Sequence, residues 1–157
     1  MAPDVAILRG ERDLVSLVFA EVRDRGDHFT FDVHFCSRDL PDQDPEPFIS
    51  GYGYQEPVAG LRSLLDNLAG VVLGDISALR HDPAADGLSI EVKVSGEGGE
   101  RSCEIVLWLD LTRTTRALKV WGTRGRQRSG LRFHADIAAL EVFRAALERL
   151  AFPAAEA

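Results

Sequence analysis

The stretch His28 to Cys36, HFTFDVHFC, alternates without a break. Phe29, Phe31, Val33 and Phe35 fall on one side of an extended chain; His28, Thr30, Asp32, His34 and Cys36 fall on the other. Successive side chains of a strand point to opposite faces. The stretch therefore fits a sheet with one face packed on a core and the other left polar. A helix would scatter the same apolar residues around its circumference.

The rest of the chain repeats this theme. DVAIL (4–8), LVSLVFAEV (14–22) and FISGYGY (48–54) read as strands. From Glu56 to Gly70 the period changes, and Leu61, Leu64, Leu65 and Leu68 form one helical face. Pro57 suits the first turn of that helix and Gly70 its end. Five further strands are expected at 75–81, 88–94, 103–111, 117–122 and 131–135, joined by turn-like connections as a meander. Asp136 is a good N-cap for a last helix striped with Ile137, Leu140, Phe143, Leu147 and Leu150, and Pro153 ends it. The expected architecture is α+β: an antiparallel meander sheet with two helices packed on one face. It forms a single domain over 1–157, with an ordered core about 4–152 and no internal repeat or linker.

Composition removes several classes of protein. With 45% hydrophobic residues the chain holds enough apolar surface to exclude a wholly disordered protein. No run approaches the ~18 apolar residues of a membrane span. MAPDVAILRGERD has no basic n-region, so the expected location is the cytoplasm, without membrane association. Only Lys93 and Lys119 are lysines among 18 basic residues, a bias that fits a GC-rich bacterial genome. Cys36 and Cys103 lie in apolar strands and read as buried free thiols, not as a disulfide framework.

The residues able to carry chemistry are few. Asp32, His34 and Cys36, with His28, share a strand face, and alternate positions lie ~6.6 Å apart. A zinc site needs a second set of ligands, and none stands at ligand spacing, so no metal or other cofactor is expected. His81 and His134 each stand alone beside an aspartate at a strand end. Cys36 with His34 makes a weak dyad, and Glu91 with Glu104 on neighbouring strands reads as exposed carboxylates, not an acid/base pair. GYGY and GEGGE lack the spacing of phosphate loops. No catalytic residue is assigned, and the chain reads as a non-enzyme.

Charge says more. The chain carries −7 overall, and residues 1–60 hold twelve acids against five bases. SRDLPDQDPEP (37–47) is a proline-stiffened acidic loop offering Asp39, Asp42, Asp44 and Glu46 to a partner. Between Asp110 and Asp136 there is no acid, and Arg113, Arg116, Lys119, Arg124, Arg126, Arg128 and Arg132 all fall there. Arg124, Arg126 and Arg128, with Trp121, are the second candidate contact set, since arginine and tryptophan favour interfaces. The overall negative charge argues against a nucleic acid and for a protein partner. A regulatory or structural domain that binds a protein or nucleic acid through the basic 113–132 segment is the alternative.

FISGYGYQEPVAGLRSLLDNLAG, the meander, and LKVWG leading to GLRFHADIAALEVFRAALERL together resemble the small bacterial immunity proteins of the WapI-like kind and related domains. The resemblance covers about the last two thirds of the chain. It rests on LRFHAD entering a helix with Leu140, Phe143 and Leu147, and on the earlier leucine helix. It implies a non-enzymatic inhibitor that binds and neutralises a cognate toxin, with no catalytic residue to assign.

Overall fold

The computed structural model describes residues 5–11, 15–37, 46–81, 88–96, 101–110 and 128–153. Four strands come first, β1 (Val5–Arg9), β2 (Val15–Asp24), β3 (His28–Ser37) and β4 (Glu46–Pro57), followed by helix α1 (Val58–Leu73). Then β5 (Ala78–His81), β6 (Leu88–Ser95), β7 (Ser102–Asp110) and β8 (Arg128–Asp136) lead into α2 (Ile137–Ala151). The α+β class with antiparallel strands and two helices holds. Its strands, however, divide into two four-stranded meanders, β1-β2-β3-β4 (sheet 1) and β5-β6-β7-β8 (sheet 2), in place of one sheet. The strand expected at 117–122 lies outside the described residues.

The chain thus runs through the same order of elements twice, against the expectation of no internal repeat. Tyr54, Leu61, Leu64 and Leu68 recur as Phe133, Leu140, Phe143 and Leu147, each 79 residues on and each buried. Strand registers agree with this. Phe31 opposite Tyr54 corresponds to Ile105 opposite Phe133, and Phe19 opposite Val33 corresponds to Ile90 opposite Leu107.

Aromatic side chains join the layers. Phe19 stacks on Phe31 with centroids 5.1 Å apart and receives the edge of Phe143 of α2 at 5.3 Å. These edge-to-face and offset arrangements add to what area burial alone supplies. Helix α2 therefore lies on the inner face of sheet 1. It also packs against α1, and the Arg62 guanidinium of α1 sits 4.0 Å over the ring of Phe152, which follows α2. One continuous apolar cluster draws on both sheets and both helices.

The helix ends show which local signals act. Asp136 accepts from the Ala139 N–H at 2.7 Å, as its sequence position implies, a cap worth about 1 kcal/mol. Gly70 does not end α1. The helix continues to Leu73, and Gly74 takes the left-handed conformation (φ 85°) that closes it. Asp75 and Ile76 then donate back to the Gly70 carbonyl, so β5 starts only at Ala78. Arg101, just before β7, donates to the last carbonyls of α1, Val72 O at 3.0 Å and Val71 O at 3.4 Å.

Candidate partner-binding face

The polar side of β3 faces away from the helices, and its side chains are each held by a different neighbour. His28 Nδ1 is 2.6 Å from Asp27 Oδ1, a contact that holds the Asp27 carboxyl below its usual range. Asp32 Oδ1 accepts from the Gly53 N–H at 3.0 Å. His34 Nδ1 shares a 2.7 Å hydrogen bond with Ser50 Oγ, and its ring meets Tyr52 edge-on at 5.6 Å. Cys36 is buried opposite Ser16. The four groups sit on one face but do not converge on a common point. Among the described residues no group of three or more His, Cys, Asp and Glu side chains is placed to hold a metal ion.

Burial pushes the Cys36 thiol up, against the opposing hydrogen bond from Ser16, and burial does the same to Cys103 in the core. A protonated, enclosed thiol is a poor nucleophile. Both cysteines are therefore expected to resist a thiol reagent at neutral pH in the native protein and to react together on unfolding, which a timed thiol titration with and without denaturant measures. The folded chain holds these protons more tightly than the unfolded chain. Stability from this source is present below the ordinary thiol pKa, about 8.5, and is lost as the pH rises above it.

The other sequence candidates separate in space. His81 is not isolated beside an aspartate. Its Nε2 is 3.0 Å from Glu56 Oε1, with side chains only 11% and 7% exposed, and the pair joins the end of β4 to β5. Glu56 folds back over the first turn of α1, where a Cβ at Gly60 would collide with its carboxylate, so this glycine is required for the contact. The helix N-terminus there favours a negative charge. Glu91 and Glu104 do not pair as two carboxylates. Arg80 lies 3.5 Å from Glu91, while Arg132 and His134 lie 3.6 and 3.8 Å from Glu104.

Asp39, Asp42, Asp44, Trp121, Arg124 and Arg126 lie outside the described residues. Glu46 and Arg128 are placed as backbone, opposite Ser37 and Asp110 at the first rungs of their hairpins. The acidic and basic stretches are thus the corresponding third connections of the two halves, β3 to β4 and β7 to β8.

Two exposed aromatics were not singled out by sequence reasoning. Tyr52 is 42% exposed on the outer face of sheet 1, beside His34 and near half-buried Val18 and Ile7. Trp108 is 40% exposed on the outer face of sheet 2, between Ser89 and Gly130. Trp108 occupies in β7 the place of His34 in β3. The signal for it was present: in VLWLD, Trp108 stands between two leucines and so must face the polar side. No protein-family model, curated protein or solved structure matches the chain. No helix among the described residues is long and apolar enough to cross a membrane.

Proposed function

We propose that the chain is a non-enzymatic binding protein of the bacterial cytoplasm, an immunity-type inhibitor that neutralises a basic cognate toxin by covering it. The contact surface is the outer face of sheet 1 together with Asp39, Asp42, Asp44 and Glu46. One observation carries the reading: Tyr52 stands exposed on a sheet face that neither helix covers, with an imidazole and aliphatic side chains around it. An aromatic anchor within a mixed surface is the usual composition of an interface centre. The acidic residues run between the paired ends of β3 and β4, so they are tethered to the same sheet and would steer a basic partner to it. Inhibition is then steric and electrostatic, and no group on the inhibitor needs to react.

Reversing the charge of those four acids is expected to weaken partner binding at low salt by about tenfold or more, chiefly through slower association, with thermal unfolding unchanged. Unchanged affinity would remove the acidic stretch from the contact. A second reading places the partner on the outer face of sheet 2, which carries Trp108, Lys93 and Arg132, and on the basic 113–132 segment of the sequence, and makes the chain a regulatory or structural domain. Trp108→Ala separates the two, because it should leave binding through sheet 1 intact.

A further inference from the structure

Sheets 1 and 2 share one plan, and they differ in the regularity of their pairing: sheet 1 has register shifts, one of them between Phe35 and Cys36, and two others that meet at one level of the outer face. In sheet 2, β7 pairs with β6 and β8 without a register shift. In sheet 1 the central strand β3 is flanked by irregularities on both sides. The β2 register slips between Ala20 and Arg23, with Glu21 at φ 53°, and the β4 register slips beside Phe31 and Val33, with Gly53 at φ 69°. Bulges turn side chains away from the regular pleat and concentrate next to functional sites. A glutamate in the left-handed region is a position that the surroundings must hold in place.

Between the two bulges lies a cleft of about 360 Å³, within the size range of small-molecule sites. Glu21, Arg23, Arg25, Thr30, Asp32 and Gln55 line it. Arg23 is neutralised by Glu21 at 2.6 Å. Arg25 donates from Nε to Thr30 Oγ1 at 3.2 Å, which orients the guanidinium yet leaves it without a carboxylate partner among the described residues. Asp32 uses Oδ1 to accept from Gly53 and has no cationic partner among the described residues. The cleft therefore presents one unpaired cation and one unpaired anion, both fixed by hydrogen bonds. Thr30, which holds Arg25, is two residues from Asp32 on the same strand face.

We propose that this cleft is a binding site for a free α-amino acid, with the ligand carboxylate on Arg25 and its ammonium group on Asp32. An anion alone would meet Asp32 and Glu21, and a cation alone would meet Arg25. A compact zwitterion satisfies both unpaired groups at once, and charge-assisted hydrogen bonds to oriented partners are the strong ones. The cleft lies on the same outer face of sheet 1 as the macromolecular contact proposed above, but it is argued from its own groups and stands whether or not that contact exists.

The test is amide chemical-shift titration of the full chain with each of the common free L-amino acids in turn, and with acetate and methylammonium separately. The expected result is saturable shifts at Thr30, Asp32, Gly53 and Gln55 for at least one amino acid, with neither acetate nor methylammonium saturating them. Asp32→Asn keeps an oxygen to accept from Gly53 and so keeps the bulge, while Arg25→Gln alters an exposed side chain. Each should weaken binding about tenfold or more, and Lys93→Gln on the other sheet should not. The proposal is overturned if no amino acid gives saturable shifts, if acetate alone reproduces them, or if both cleft variants bind as the wild type does.

Discussion

His81→Ala is expected to lower the free energy of unfolding by about 3 kcal/mol, because it strands the buried Glu56 carboxylate without its partner. Leaving a buried polar group without its hydrogen-bond partner typically costs about 1–3 kcal/mol, and more for a carboxylate, and the α1 N-terminus near Glu56 offsets about 0.3–1 kcal/mol of that. The internal repeat supplies the control. Equivalent positions in the other half are Ala6 and Ala135, both fully buried, so apolar residues already fill the corresponding places once in the same chain. The double variant His81→Ala, Glu56→Ala should therefore be more stable than His81→Ala alone, despite the extra volume removed. Equilibrium urea unfolding of the three proteins decides it. Losses that simply add would mean that the pair is not coupled, and the buried-charge argument would fail.

Phe19→Ala should cost about 3–5 kcal/mol, the range for deleting a buried aromatic from a packed core. Its ring is the point where β2, β3 and α2 meet, stacked on Phe31 and capped by Phe143. The loss should appear as a lower midpoint with little change in denaturant dependence. Amide exchange in α2 should rise relative to sheet 2, since the helix loses its aromatic seat on sheet 1. Val142→Ala, on the exposed side of the same helix at 64%, should stay within about 0.5 kcal/mol of the wild type. Comparable losses for the two variants would contradict the placement of α2.

Much of the fold was legible because alternation and helical stripes are local. HFTFDVHFC, the Leu61–Leu68 stripe and the Asp136 cap all did what short-range physical chemistry requires. The division into two sheets was not legible, since a meander looks the same in sequence whether its strands join one sheet or two. The repeat was hidden by composition and by unequal connections. Leu61 and Leu68 recur as Leu140 and Leu147, but only apolar character persists from Tyr54 and Leu64 to Phe133 and Phe143, and 38–45 in one half corresponds to the longer 111–127 in the other. Gly70 misled as a helix end because a glycine closes a helix only where φ turns positive, which happens at Gly74. The Glu56–His81 pair lies 25 residues apart across two sheets, and no local pattern announces it. The cleft depends on two register slips, and FAEVRD and SGYGYQ read as continuous strands without them.

The most direct test of the binding role is parallel capture. Wild-type protein, Tyr52→Ala and Trp108→Ala are immobilised side by side and exposed to lysate of the source cells, including secreted proteins, at low and high salt. Retained proteins are then quantified by mass spectrometry. The result expected is one basic protein at about stoichiometric amount on wild type and Trp108→Ala, reduced about tenfold on Tyr52→Ala and lost at high salt. A partner retained equally by Tyr52→Ala and lost from Trp108→Ala would contradict the account, and would move the contact to sheet 2.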